Sequence, residues 1–106
     1  MTRSVLVFAI MPGRRDDFVA TFHRLEVLRR ASRQPGFRRA QLHVRVDGSD
    51  EVLVTADWDS PEAYQGWLEN PVRAEMQSEF GPLLVTDPEP RVYDVVEDVV
   101  PWEDGT

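Results

Sequence analysis

The sequence contains no cysteine and no lysine, and only two histidines, His23 and His43. The absence of cysteine excludes disulfides, thiolate nucleophiles, iron–sulfur clusters and cysteine-ligated zinc. The absence of lysine leaves the chain terminus as the only amine for Schiff-base chemistry. Two histidines are too few for a multi-histidine metal site within one chain. These absences are compatible with chemistry that needs neither a metal nor a covalent enzyme intermediate.

Long apolar runs are also lacking, since no stretch approaches the length that spans a bilayer. The N-terminal stretch MTRSVLVFAIMPG has one arginine and no small-residue cleavage site, and its apolar run ends at Pro12-Gly13. This pattern predicts a first strand rather than a signal peptide. We therefore expect a cytoplasmic protein that does not associate with a membrane.

The charges are unevenly distributed along the chain. Residues 1–46 contain ten arginines against three acidic residues, whereas residues 47–106 contain two arginines against sixteen acidic residues. The net charge of −7 argues against nucleic acid as a partner. The two halves could complement each other within the fold or across a symmetric dimer.

At 106 residues the chain is expected to form one domain, over residues 1–100, followed by an acidic C-terminal tail at residues 101–106. Residues 4–11 are a continuous apolar run, which predicts a strand buried on both faces. A helical pattern follows over residues 14–33, and Pro35-Gly36 ends it. Its apolar residues recur at three- and four-residue steps: Phe18, Phe22, Leu25 and Leu28.

An antiparallel hairpin is predicted next. Residues 37–46 and 51–58 alternate apolar and polar residues, and the turn signal DGSD separates them. The even positions of both strands are apolar: Ala40, Leu42, Val44, Val46, Val52, Val54, Ala56 and Trp58. His43 lies on the opposite, polar face of the first of these strands.

Two short helices and a last strand complete the predicted elements. Ser60-Pro61 is an N-cap with proline at the first helical position, and this helix runs to about Glu69. Asn70-Pro71 repeats the signal, so a second helix starts there and continues towards residues 80–84. Residues 91–100 predict the last strand.

The resulting order is β-α-β-β-α-β, with the second helical segment split in two. Right-handed crossovers convert this order into an α+β, ferredoxin-like fold with a four-stranded antiparallel sheet and helices on one face. The other face is uncovered, although the first strand contributes apolar residues to it. Packing that face against a copy of itself gives a symmetric homodimer.

Several motifs recur here in a recognisable order: the strand exit MPG, the helix-to-strand turn QPGF, and a third strand that ends in ADW before SPEAYQGWLENP. Their order and spacing resemble those of the antibiotic biosynthesis monooxygenase superfamily of dimeric α/β-barrel proteins. The resemblance covers about residues 4–98. It implies a homodimer whose two sheets close a barrel, with a hydrophobic cleft between the sheet and the helices of each subunit.

The same resemblance implies several activities. Members in polyketide pathways oxidise polycyclic phenols or anthrones to quinones with molecular oxygen and without metal or flavin. Similar small proteins act as cyclases, and others degrade haem. The haem-degrading relatives need a histidine in the later helices, and no histidine follows position 43 here. Some cofactor-free members carry an asparagine four positions before the tryptophan of the third strand, where this chain has Val54.

Trp58 and Tyr64 are a predicted catalytic pair. The resemblance implies this role, because cofactor-free oxygenases of the superfamily place a cleft-lining tryptophan at this strand end and a tyrosine in the next helix. Indole N–H and phenol O–H groups are donors that hold a substrate oxyanion in a dry pocket. Core packing of Trp58 is the alternative.

Four further residues are predicted to bind the substrate: Phe22, Trp67, Met76 and Phe80. Trp67 lies one helical turn after Tyr64, on the same general side of the helix. Met76 and Phe80 lie four positions apart in the next helix and could form the floor of the cleft. Ordinary packing between helix and sheet is the alternative for the last three residues.

Arg73 and His43 complete the predicted catalytic set. Arg73 either stabilises the phenolate or enolate formed on deprotonation, or makes a surface ion pair with Glu69 or Glu75. His43 is the best general base by residue type. Strand alternation directs it towards the dimer barrel, however, unless a bulge intervenes.

The predicted function is a cofactor-independent monooxygenase that oxidises a polycyclic aromatic polyketide of the anthrone or phenol type to a quinone in secondary-metabolite biosynthesis. Molecular oxygen is the co-substrate, and no cofactor or metal is expected. The partners are a small aromatic substrate and a second copy of the chain. The alternatives are a polyketide cyclase that uses the same cleft, and a non-catalytic dimeric module that binds an aromatic ligand.

Overall fold

The computed structural model describes residues 1–102. The strands are β1 Thr2–Ala9, β2 Phe37–Val44, β3 Glu51–Trp58 and β4 Pro90–Asp94. The helices are α1 Arg15–Arg24, α2 Val27–Ala31, α3 Pro61–Leu68 and α4 Pro71–Phe80, which a 3-10 helix, Gly81–Leu83, extends. Within the described range no helix is long and apolar enough to cross a membrane.

The four strands form one antiparallel sheet in the order β2-β3-β1-β4. This order confirms the predicted ferredoxin-like fold, in which the first and third strands are central and the helices return across one face. The side chains of the helix-covered face are the even positions of β1 and β3. The face opposite the helices is called the open face below.

Cap residues set the boundaries of α3 and α4, as predicted. The Ser60 hydroxyl accepts a hydrogen bond from the Ala63 backbone N–H at 3.2 Å, and the Asn70 side-chain oxygen accepts one from the Val72 N–H at 2.9 Å. In both helices proline occupies the first helical turn. A backbone N–H there has no partner within the helix, so the missing N–H of proline costs no hydrogen bond. The chain therefore starts a new helix at Pro71 instead of continuing α3.

Two aromatic clusters occupy the core between sheet and helices. Phe18 contacts Phe8 and Phe80, with ring centroids 5.0 Å apart in each case. At the other end Trp58 contacts Phe37 edge-on at 5.4 Å and Tyr64 at 5.5 Å. A bulge in β2 between Phe37 and Arg39 places Phe37 opposite Trp58, so an odd position joins the even, apolar face.

The single helix predicted over residues 14–33 is wrong, because it is broken into α1 and α2 at Glu26, whose φ is 51°. Phe18 and Phe22 are the buried residues of α1. A continuous helix would place charged residues below them, at the helically equivalent positions 26, 29 and 33. The left-handed residue turns α2 so that Ala31 is buried instead.

Two strand predictions also need correction. β1 begins two residues earlier than predicted, at Thr2, and it is buried on one face only, since Val7 is 43% exposed. β4 ends at Asp94 instead of residue 100. Asp94 pairs with Thr2, the first residue of β1, and the Val95 N–H bonds to the Met1 carbonyl, so β4 ends where its pairing with β1 ends. Of the predicted acidic tail, residues 103–106 lie outside the described residues.

The QPGF turn packs directly against α3. Gly36 has φ +85°, and a Cβ on it would lie 2.6 Å from the Ala63 Cβ. The Gly36 carbonyl also accepts a hydrogen bond from the Asp59 N–H at 2.8 Å, just before α3 starts. The two motifs QPGF and SPEAY are therefore in contact, and only glycine meets both demands of the turn.

We expect Gly36→Ala to destabilise the protein by about 2–4 kcal/mol, from left-handed strain plus the clash with Ala63. Gly13→Ala is the matched control, because Gly13 has φ +75° with nothing within 4 Å of an added Cβ. That control should lose about 1–2 kcal/mol of stability, because it introduces the left-handed strain without the clash. Urea unfolding measures both variants. Equal losses would contradict the close approach of the turn to α3.

Candidate functional site

A cavity of about 370 Å³ lies between the helix-covered face of the sheet and the helices. Strands β1 to β3, all four helices and the loop before β4 contribute to its walls. Volumes of this size are typical of small-molecule sites. The predicted site residues that line it are Trp58, Tyr64, Arg73, Trp67, Met76, Phe80 and Phe22. Their functional roles remain predictions.

Trp58 ends β3 on the helix-covered face and is 1% exposed. Its Nε1 donates a hydrogen bond to Ser4 Oγ at 3.1 Å, and Ser4 Oγ in turn donates to the Ala56 carbonyl oxygen at 3.5 Å. The indole N–H is therefore already satisfied within the protein. In this conformation Trp58 offers the cavity its ring, rather than the free N–H donor expected from the sequence.

Tyr64 supplies a free polar group to the cavity. Its side chain is buried on α3, and its hydroxyl has no hydrogen-bond partner among the described residues. Burial raises the pKa of the Tyr64 phenol, while the charge of Arg73 and the nearby Ser4 hydroxyl lower it to a smaller extent. Ser4 nevertheless does not form a hydrogen bond of normal geometry with Tyr64. The phenol therefore remains protonated at neutral pH and is available as a donor.

Arg73 is the cation of the cavity. It lies in the first turn of α4, two residues after Pro71, and is half-buried. Within residues 1–102 no carboxylate lies within ion-pair distance of its guanidinium, so neither predicted surface ion pair, with Glu69 or with Glu75, forms. Its charge instead acts on the Tyr64 phenol across the cavity. A guanidinium without a carboxylate partner beside an apolar cavity is suited to hold an anionic group.

The four predicted substrate-binding residues both pack and line the cavity. Phe22, Trp67, Met76 and Phe80 are all buried. Phe22 and Phe80 belong to one aromatic cluster, with ring centroids 6.0 Å apart, whereas Trp67 lies on α3 near Tyr64. Packing and cavity lining are thus not exclusive alternatives for these side chains. They supply much of the aromatic and apolar wall of the cavity.

His43 does not line the cavity of its own chain, as strand alternation predicted, and its proposed role as general base is therefore not supported within one chain. It pairs with Leu53 near the turn of the hairpin, on the open face, and its Nε2 lies 3.1 Å from Thr55 Oγ1. The only bulge of β2 lies between Phe37 and Arg39, well before His43, so the alternation of the strand is not reversed there. Within one chain, His43 therefore has no route to a ligand in the cavity.

Ser4, Gln77 and Asp87 line the cavity and were not predicted from the sequence. Ser4 could have been noticed, because it is the one polar residue at an even position of the first strand's apolar run. Gln77 shares the side of α4 that carries Arg73, four positions earlier. Asp87 lies in the loop before β4, and no pattern in that loop marks it. Among the described residues, no group of three or more His, Asp or Glu side chains could hold a metal ion.

We expect Ser4→Ala to cost about 1–3 kcal/mol of stability, because it leaves the buried Trp58 N–H without an acceptor. Ser78→Ala is the control, since that hydroxyl is exposed on α4, and its loss should be within about 0.5 kcal/mol of zero. Urea unfolding of each variant is repeated in a Trp58→Phe background, which has no indole N–H, to test whether the cost comes from this hydrogen bond. The cost of Ser4→Ala should shrink there, and an unchanged cost would exclude the hydrogen bond as its cause.

Comparison with known proteins gives the same fold and names its family. A family model described as antibiotic biosynthesis monooxygenase matches residues 1–79. No curated protein sequence matches the chain significantly. The chain is similar to the monooxygenase from the gene ActVA-Orf6 of Streptomyces coelicolor, solved in complex with nanaomycin D, with 24% identity and a TM-score of 0.80 over 95% of this chain and 92% of that one.

A second similar structure is SnoaB, a cofactor-independent oxygenase from Streptomyces nogalater. It is 22% identical, with a TM-score of 0.76 over 95% of this chain and 97% of that one. At such identities the two structures establish the fold and not the reaction. The family model covers three quarters of the sequence, with the cavity residues up to Gln77. The chain therefore belongs to the antibiotic biosynthesis monooxygenase family.

Proposed function

We propose that this protein is a cofactor-independent monooxygenase that oxidises a polycyclic aromatic polyketide, of the anthrone or phenol type, to a quinone in the cytoplasm. The observation that carries the proposal is the combination of an aromatic cavity with two unpartnered polar groups, the Tyr64 hydroxyl and the Arg73 guanidinium. A buried hydroxyl without a partner costs about 1–3 kcal/mol, which a ligand with an acceptor oxygen recovers on binding.

The aromatic lining of the cavity favours a flat ligand. Trp58 and Trp67 lie towards one end and Phe22 and Phe80 towards the other, with Val54 and Ala56 of β3 on the sheet side. Aromatic walls contact planar rings through offset or edge-on packing and exclude water from them. Val54 offers no hydrogen bond on this wall, so orientation of the ligand depends on the polar groups of α3 and α4.

The two polar groups stabilise the charge that the reaction develops. Removal of a proton from an anthrone methylene or a phenol leaves an oxyanion conjugated with the rings. The Tyr64 O–H and the Arg73 guanidinium can both bond to that oxygen, and such bonds are stronger in a dry, low-dielectric site. Binding of the anion in preference to the neutral substrate lowers the barrier to its formation.

The electron-rich anion is itself the reductant of molecular oxygen. Oxygen adds to the ring carbon, and protonation gives a hydroperoxide. The hydroperoxide loses water and leaves a carbonyl group. One oxygen atom thus enters the quinone and the other leaves as water, so a methylene group and O₂ become a carbonyl group and H₂O. No external reductant is consumed. The protein needs only to generate, hold and desolvate the anion.

The relatives support this assignment without fixing the substrate. SnoaB is a cofactor-independent oxygenase, and the ActVA-Orf6 protein was solved with nanaomycin D. The cyclase alternative would use the same cavity and the same anion-binding groups, but no contact in this chain favours it. Consumption of oxygen separates the two functions.

We also propose that the protein works as a homodimer formed through the open face. Val7 is 43% exposed near the middle of that face. Four residues earlier on the same face of β1, Arg3 forms a two-pronged ion pair with Asp57 of β3, with Nε–Oδ1 at 2.7 Å and Nη2–Oδ2 at 3.1 Å. The Asp57 side chain is only 6% exposed, so this part of the face is already ordered in one chain. An ordered face with exposed apolar residues is suited to self-association.

For the reaction, we expect oxygen uptake with anthrones or hydroxynaphthalenes that a chelator does not inhibit. Arg73→Gln and Tyr64→Phe should each lower kcat about 10²-fold, because each removes one donor to the anion. Arg30→Gln is the control, since Arg30 is exposed on α2 and does not line the cavity. Tight binding of these compounds without oxygen uptake would refute the oxygenase and favour the cyclase or the binding module.

For the assembly, we expect a dimer at micromolar concentration in sedimentation velocity. Val7→Arg should shift it to monomer, because the two-fold axis would bring like charges together inside an apolar contact. Val46→Arg is the matched control at a fully exposed position in the β2–β3 turn. A wild-type monomer, or a Val7→Arg variant that stays dimeric, would contradict the open face as the interface.

A further inference from the structure

The proposed oxidation begins with removal of a proton, and the acceptor has to lie in the cavity. His43 is on the open face and does not reach it. Of the cavity-lining groups, Arg73 is a cation and Gln77 an amide, and neither accepts a proton under ordinary conditions. The phenol of Tyr64 holds its proton more firmly than usual, because burial raises its pKa. Among the described residues, Asp87 is the one carboxylate that lines the cavity.

We propose that Asp87 is the general base of this protein. The inference rests on the proposed function, and it adds the group that the predicted catalytic set lacked. A carboxylate exposed to water at one side carries its negative charge at neutral pH and accepts a proton from an acidic C–H or O–H group placed within hydrogen-bond reach. Asp87 is exposed to solvent and also lines the cavity, so it meets the first condition and lies where a bound substrate would be placed.

The backbone holds the Asp87 loop at both ends. Before it, the Val85 N–H bonds to the Ala9 carbonyl and the Met11 N–H to the Leu83 carbonyl, each at 2.8 Å. After it, β4 starts at Pro90, which pairs with Leu6 of β1. Only four residues span the distance between these anchors. The loop is therefore short and held at both ends, and its residues Asp87 and Pro88 form part of the cavity wall.

The carboxylate of Asp87 is free to accept a proton. Among the described residues it forms neither an ion pair nor a hydrogen bond, although Arg73 lines the same cavity. If Asp87 and Arg73 were paired, each would neutralise the other. Without such a pair, both groups can act on one ligand from different elements, with Asp87 taking the proton and Arg73 holding the resulting anion.

Three titratable groups face the cavity, each from a different element: Tyr64 from α3, Arg73 from α4 and Asp87 from the loop before β4. The lining residues of β1 to β3, α1 and α2 carry no titratable group. Within the cavity, the candidates for the proton acceptor are therefore limited to these three groups.

In the proposed reaction every proton and electron pair is accounted for within the site. The C–H or O–H bond of the substrate breaks, its electron pair stays on the ring system, and the proton moves to a carboxylate oxygen of Asp87. The anion is then held by the Tyr64 hydroxyl and the Arg73 guanidinium. After oxygen has added, the carboxylic acid of Asp87 returns the proton to the peroxide oxygen. Loss of water completes the reaction, and Asp87 is again a carboxylate.

The test compares Asp87→Asn with Asp87→Glu and with Glu89→Gln. Glu89 is the matched control, because it is an exposed acid in the same loop that does not line the cavity. Two rates are measured with anthrone as the probe. One is oxygen uptake, and the other is exchange of the anthrone methylene hydrogens with D₂O under nitrogen, above the buffer rate. The exchange reports proton removal without any oxygen chemistry.

We expect Asp87→Asn to lower both rates about 10²–10⁴-fold with little change in KM, which is the usual contribution of a general base. Asp87→Glu should keep part of both rates, Glu89→Gln should behave as the wild type, and added acetate should restore part of the exchange in Asp87→Asn. Circular dichroism shows whether the variants are folded.

The outcomes separate this inference from the proposed function. If the wild type oxidises anthrone and Asp87→Asn keeps the full rate, Asp87 is not the general base, and the proposed oxygenase function still holds. A wild-type protein that consumes no oxygen but exchanges hydrogen in an Asp87-dependent way overturns the oxygenase and supports the base, as in a cyclase. A wild-type protein that does neither overturns both.

Discussion

The hydrogen bond from the Trp58 indole to the Ser4 hydroxyl fixes the strand end at which the sheet, α3 and the cavity meet. Trp58 also contacts Phe37 of β2 edge-on and Tyr64 of α3, so one ring connects two neighbouring strands and a helix. Because protein interiors are closely packed, a shift of this ring would displace Tyr64. The position of the Tyr64 hydroxyl in the cavity therefore depends on the hydrogen bond between Trp58 and Ser4, which lies within the protein and involves no ligand.

Some polar groups of the cavity have hydrogen-bond or ion-pair partners in the protein and others have none, which differs from a purely structural core. The indole N–H and the backbone of α3 and α4 have their partners. The Tyr64 hydroxyl, the Arg73 guanidinium and the Asp87 carboxylate have none among the described residues, although all three line one space. Groups without a protein partner are expected where a protein binds a ligand, and the one of the three that is buried, the Tyr64 hydroxyl, also lowers stability. Here they coincide with the aromatic walls.

Local chemistry explains why some elements could be predicted closely. β3 and the starts of α3 and α4 follow from alternation and from the Ser-Pro and Asn-Pro caps, which act within three residues of the boundary. The break at Glu26 was missed because no glycine or proline marks it, and it arises from the need to bury Ala31. The length of β4 was overestimated because its end depends on where β1 begins.

The sequence alone determined the fold, the apolar face that carries Trp58, and the opposite face that carries His43, because strand alternation and helix caps are local properties. Only the tertiary structure decided the hydrogen-bonding state of the site. The indole N–H is bound by Ser4 from a distant strand, Arg73 lacks an acidic partner although Glu69 and Glu75 are near in sequence, and Asp87 reaches the cavity through a loop fixed to β1. Each of these depends on groups far apart in the chain, whose distances no sequence pattern contains.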